Sequence, residues 1–188
     1  MSGLQPHNSS IVLVGSFRPP TFQPRWFADH KLIRASEAGL AQIDVIHPSL
    51  VAFTTKWFNI RVEEQRFQIM TEQEPMYELM RDLGAGTLSR LDDSSPRALG
   101  LNWVFTYEPS SVEAAHDLGH RLVRKDDWNE LLENPGTLAV TIESQRRDDF
   151  AGYLQTRVQL INRAPFSILI EINDHYDLTV DDENSSFR

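Results

Sequence analysis

Three runs decide the fold: Leu138-Ala-Val-Thr-Ile-Glu-Ser144, Tyr153-Leu-Gln-Thr-Arg-Val-Gln-Leu160 and Phe166-Ser-Ile-Leu-Ile-Glu-Ile172. In each, large apolar residues alternate with small or polar ones. Leu138, Val140 and Ile142 fall on one side of the first run, Leu154, Thr156, Val158 and Leu160 on one side of the second, and Phe166, Ile168, Ile170 and Ile172 on one side of the third. Period-two alternation marks strands with one buried face. Arg146-Arg-Asp-Asp149 and Asn162-Arg-Ala-Pro165 interrupt the pattern as turns, and connections this short join antiparallel neighbours. A three-stranded meander over Thr137–Asn173 is therefore predicted, with the rest of the chain packed on it.

Working backwards, Ala98 to Tyr107 reads as another strand. Leu99, Leu101, Trp103, Phe105 and Tyr107 share one face and need a cover, for which the apolar side of a helix over Met76, Leu79, Met80 and Leu83 is a candidate. Pro75 suits the first position of that helix, and Gly84-Ala-Gly86 should end it. Ser110-Ser-Val-Glu113 reads as a capping box opening a helix to about Val123, and Asp126 to Leu132 as a second short helix. Asp92 to Pro96 is a loop. The clearest hairpin of the first half lies in Leu50–Thr71, where Val51 and Phe53 hold one parity and Phe58, Ile60 and Val62 the other, with a turn near Thr54-Thr55-Lys56. Ile43 to Ile46 is a short strand stopped by His47-Pro48. Trp26 to Leu40 holds one or two short helices. Ile11 to Val14 is a short β run after a loose polar start at residues 1–9.

Strands, helix, strand, helices and strands in that order argue an α+β domain: a largely antiparallel sheet of about six to eight strands with helices packed on one face. Each half repeats a loose plan of hairpin strands plus a helix, which allows a pseudo-duplicated half-barrel. One domain is expected over 1–178, followed by an acidic, flexible tail at 179–188.

The chain has 188 residues, 40% hydrophobic and 24% charged, which fits a soluble globular protein able to bury a core without staples. It has no cysteine, which excludes disulfides, thiolate zinc sites and cysteine nucleophiles. Its net charge of −9 argues against general nucleic-acid binding, which relies on cationic surface. No apolar run approaches a membrane span, and no secretory leader is visible, so the cytoplasm is the expected compartment.

Phe17-Arg-Pro-Pro-Thr-Phe-Gln-Pro-Arg-Trp-Phe27 is the oddest stretch. Its prolines favour an extended arm. Two readings follow: the arm packs on its own domain, or Phe17, Phe22, Trp26 and Phe27 dock on another protein or another copy of the chain. The most chemical-looking motif is His116-Asp-Leu-Gly-His120, two histidines one helical turn apart, as in zinc sites. Asp117 replaces the Glu of the zinc-protease pattern, and a third ligand is needed, for which Glu143, Asp174 and His175 are candidates that the spacing does not choose among. Asn173-Asp-His-Tyr-Asp177 follows a strand, and His175 supplies the third ligand if the histidines meet. The bland alternatives are surface histidines beside an apolar stripe, and Asn and Asp bonding their own backbone at a strand end. No phosphate-binding glycine loop and no Gly-x-Ser-x-Gly elbow is present.

Ala98-Leu-Gly-Leu-Asn102, Gly119-His-Arg-Leu122 with its downstream Trp128, and Asn173-Asp-His-Tyr-Asp-Leu178 together resemble a family of uncharacterised bacterial proteins of similar length, and the Phe17–Phe27 arm is similar too. The resemblance implies a single bacterial or mobile-element domain and transfers no catalytic residue. The expected function is a non-catalytic protein-binding or assembly protein without cofactor, self-association included. The alternative is a hydrolase holding zinc or another divalent metal on His116, His120 and His175.

Overall fold

The computed structural model describes residues 4–91, 96–161 and 167–178. Its strands are β1 (Leu4–Val14), β2 (Gln42–His47), β3 (Leu50–Thr54), β4 (Asn59–Glu63), β5 (Arg66–Thr71), β6 (Ala98–Tyr107), β7 (Ala139–Gln145), β8 (Gly152–Ile161) and β9 (Ser167–Asp177). Its helices are α1 (Pro24–Asp29), α2 (Ala35–Leu40), α3 (Tyr77–Leu88) and α4 (Val112–Leu122). The strands form one nine-stranded sheet in the order β2-β3-β4-β5-β1-β6-β9-β8-β7, and every pairing is antiparallel. The α+β expectation holds, with slightly more strands than the alternation alone suggested.

The order exposes a repeat. β1 is followed by helices and by strands that bring β5 back to its side. β6 is followed by α4 and a meander that brings β9 back to its side. The two leading strands pair with each other at the centre, Leu13 opposite Leu99 and Ile11 opposite Leu101.

Directly opposed residues of an antiparallel ladder share a face. That rule places Ile11, Leu13, Val51, Phe53, Ile60, Val62, Phe67 and Ile69 on one face of the first half. All are buried in one core cluster with Phe17, Phe22, Phe27, Met80 and Leu83. The aromatic packing is edge-on: Phe22 meets Phe67 with centroids 5.3 Å apart, and Phe27 meets Phe53 at 5.7 Å. The helices lie on this face. Gly84 of α3 has no room for a Cβ against the Ile11 side chain, and buried Thr87 returns its hydroxyl to Leu83 O at 2.7 Å. On α4, a Cβ at Gly119 would sit 3.5 Å from Leu160 Cδ2 on the same sheet face.

Several local expectations are corrected. α3 runs through Gly84 and Gly86, because the missing Cβ at Gly84 lets the helix sit close to β1, and that packing outweighs the low helix propensity of glycine. The helix-capping residue of α4 is Ser111, whose Oγ accepts from Ala114 N at 3.2 Å, so Glu113 falls one place short of the position that would close a box with Ser111. Residues Asp126–Trp128 form only a 3-10 turn. β1 starts at Leu4, where polar residues pair with β6 as far as Tyr107. β9 continues to Asp177, so Asn173-Asp-His-Tyr-Asp177 is strand, not the loop beyond it. The Asn162–Pro165 turn, Phe166, most of the 92–96 loop and the acidic tail lie outside the described residues.

A candidate binding face

The Pro/aromatic arm belongs to the core. Phe17, Phe22 and Phe27 are buried, at 4%, 3% and 0% exposure. The expectation that they dock on a partner is corrected: as core side chains they present no surface. Trp26 is partly buried, edge-on to Phe22 and Phe27 and against the His30 ring, with His30 Nδ1 2.8 Å from Trp26 O. The arm turns into α1 because Pro24 sits in the first turn, where its missing N–H costs nothing.

The histidines do not converge. His116 and His120 are exposed on α4, over the apolar face of the sheet. His175 stands in register with Gly100 and Tyr153, on the opposite face. There it stacks on the Tyr153 ring at 4.5 Å, with Nε2 3.2 Å from Asp177 Oδ1. The small cavity of about 60 Å³ beside His116 and His120 also contains Lys125. Its ammonium donates to Thr137 Oγ1, which donates to Gly119 O. A cation in that position opposes the entry of a metal ion. Among the described residues no three His, Asp or Glu side chains cluster as metal ligands would.

Asp174 and Tyr176 point to the apolar face, in register with Leu101 and Leu99, and meet Arg146 from the β7–β8 turn. The Arg146 side chain is only 9% exposed. Its guanidinium lies 3.7 Å above the centre of the Tyr176 ring, binds Asp148 through two nitrogens at 2.8 and 2.5 Å, and also donates to Asp174 and to Tyr176 Oη. The Arg146 hydrogen bonds pull the Asp148 carboxyl below the usual range, against the opposing effect of desolvation. Burial, then the bond to Asp174, raises the Tyr176 phenol. Every charge in this clasp is answered within it, so it fastens the hairpin to β9.

What remains is the apolar face of the second half. Four rows cross it: Leu101–Asp174–Leu154–Ser144, Trp103–Ile172–Thr156–Ile142, Phe105–Ile170–Val158–Val140 and Tyr107–Ile168–Leu160. The corresponding face of the first half is buried, but here most side chains are only half-buried. Leu154 is 42% exposed and Ile142 58%. α3 packs on β1 and β5 and reaches only the Leu99–Leu101 end of β6. The expectation that it covers all five large side chains of β6 is corrected. α4 is anchored at one end of the sheet through Ala115 and Gly119. Leu131, Leu132 and Leu138 add further exposed apolar surface on the segment leading into β7.

A second concavity, about 840 Å³, opens between the α1–α2 region and α3. Its rim mixes Lys31 and Arg34 with Glu37 and Asp82 over Leu32, Leu79 and Trp57. Glu37 is already committed, accepting from Trp57 Nε1 at 2.9 Å and from Arg34 N at 3.0 Å. Its charges do not converge on one point as those of a catalytic site do.

The signal for the open face was present in the sequence as five large residues on one side of β6, with too few helical apolar residues nearby to cover them. No helix among the described residues is long and apolar enough to cross a membrane. No protein-family model matches the sequence, and no curated protein matches it.

Proposed function

We propose that this chain is a non-catalytic, cytoplasmic assembly protein that works by protein–protein contact through the half-covered apolar face of β6, β9, β8 and β7. One observation carries the reading: two halves of similar plan, five strands and four, share one sheet, but only the first half's face is buried by the chain's own helices. Contiguous apolar surface of this kind marks protein-interaction sites, and Trp103, Phe105 and Tyr107 are the residue types that anchor interfaces. The reading requires no metal or cofactor.

The test is a pair of photo-crosslinking residues in the cell that encodes the protein. One replaces Leu154 on the open face. The other replaces Arg61, which is exposed on the opposite face. Protein adducts at 154 and none at 61 are expected. No adduct at 154, or the same adducts at both positions, overturns the proposal.

A further inference from the structure

We infer that a second copy of this chain joins the sheet edge to edge through β7 about a two-fold axis at Ile142, extending the open face in its own plane. This goes beyond the binding reading above: the second copy meets the β7 edge of that face and leaves Trp103, Phe105 and Tyr107 of β6 uncovered. Among the described residues β2 and β7 are the two edges of the sheet, and they are built differently. β2 carries a register shift between Ile43 and Val45 and a carboxylate, Asp44, tied to Thr54 Oγ1 at 3.1 Å. A bulge is a usual protection of an edge strand, and since each edge carries one carboxylate, Asp44 in β2 and Glu143 in β7, the bulge is what sets the two apart. β7 pairs with β8 in unbroken register over Ala139–Gln145, with no proline, no lysine and one carboxylate.

The backbone of β7 is set for a partner. Leu160 N donates to Leu138 O, which fixes the alternation of the ladder. Val140, Ile142 and Ser144 therefore bond to β8, and the N–H and C=O groups of Ala139, Thr141, Glu143 and Gln145 point outward. An antiparallel second β7 centred on Ile142 sets Thr141 opposite Glu143 of the other copy, so the outward groups meet each other. Ile142 then lies on Ile142 of the second copy and Val140 on Ser144, and the apolar face runs unbroken from one sheet into the next.

Charge favours this register over the one centred on Glu143. Arg157 stands beside Thr141 across the β7–β8 ladder, 3.5 Å from Glu171. Glu143 of the second copy would lie two strand spacings from it, about 10 Å between backbones, within reach of an extended Arg–Glu pair. Moving the axis by one residue to Glu143 would instead oppose two carboxylates, which disfavours that pairing.

The chain has no cysteine, so one introduced thiol reports the register without ambiguity. Ile142 would face itself at a non-hydrogen-bonded position, where backbones approach to about 4.5 Å, a separation a disulfide spans. Under mild oxidation, Ile142→Cys is expected to give covalent dimers and Thr156→Cys, one strand inward, none. Thr141→Pro removes an outward N–H that β8 does not use. It is expected to convert a sedimenting dimer to monomer while leaving the far-ultraviolet circular dichroism unchanged. A wild-type chain that sediments as monomer with Ile142→Cys uncrosslinked overturns the inference, as does a dimer that survives Thr141→Pro. Adducts from position 154 to a different protein, with no crosslink at 142, sink this inference alone and leave the binding reading intact.

Discussion

Lys31 has φ 59°, in the left-handed region that a helix end normally gives to glycine. The hydrogen bonds explain the conformation. Lys31 N donates to Ala28 O at 2.9 Å and Leu32 N to Phe27 O at 2.8 Å, which together close the end of α1. Lys31→Gly should relieve the left-handed cost and raise stability by about 0.5–1 kcal/mol after allowing for the added chain entropy, measured by denaturant unfolding. Gly152 is the opposite case. Its φ is +136°, and a Cβ would collide with the carbonyl of His175 across the ladder. Gly152→Ala is expected to cost on the order of 2–3 kcal/mol and to loosen β8 from β9. At the Arg146 clasp, the folded pKa of Asp148 is lowered. Its stabilising contribution is complete above the ordinary carboxylate pKa and is lost as pH falls through the lowered folded value. Unfolding curves of wild type and Asp148→Asn should therefore differ near neutrality and merge in acid; a constant offset across the range would contradict the assignment. Neither Lys31 nor Arg146 could be singled out in the sequence. A helix-end lysine has no sequence mark, and two of the three partners of Arg146, Asp174 and Tyr176, lie 28 and 30 positions away.

Among the elements, the strands were legible wherever one face alternates, as in β3, β4, β5, β6 and β8. What decided the misread elements came from elsewhere in the fold. β1 extends into its polar start because β6 continues alongside as its partner, and α3 survives two glycines because Ile11 of β1 lies against Gly84 and Leu32 against Gly86. The arm was visible as an extended aromatic segment, but not the direction of its rings, which depends on Phe53 and Phe67 of strands read separately. Its core role has a size: Phe27→Ala should cost about 3–5 kcal/mol. Ile142→Ala, at an exposed edge, should change the stability of the isolated chain by less than about 0.5 kcal/mol. A docking side chain would give the reverse pattern, with Phe27 neutral for stability. On α4 the spacing of His116 and His120 was read correctly. The face on which His175 lies was not legible, because strand parity assigns a face only once the register with β6 is known. Thermal unfolding with and without a chelator is accordingly expected to superimpose, and a chelator-induced fall in the transition temperature would reopen the metal reading.

Over the whole molecule, the sheet is one continuous structure with an unequal cover. Its antiparallel character and single-sided helices followed from alternation and short connections. The joining of the two halves through β1 and β6 was not legible, because strand order depends on contacts between segments far apart in sequence. The same holds for the bare face: sequence shows that Trp103, Phe105 and Tyr107 need covering, and only the assembled sheet shows that α3 is already occupied by the first half. A sheet extended at β7 by another copy should be tightened there by association, while the first half stays indifferent. Amide hydrogen exchange of the intact purified chain over a concentration series measures this most directly. The account predicts that exchange at Thr141 and Glu143 slows as concentration rises, while Val62 and Ile69 in the buried half remain protected throughout. Exchange at Thr141 and Glu143 that stays equally fast at every concentration would contradict it.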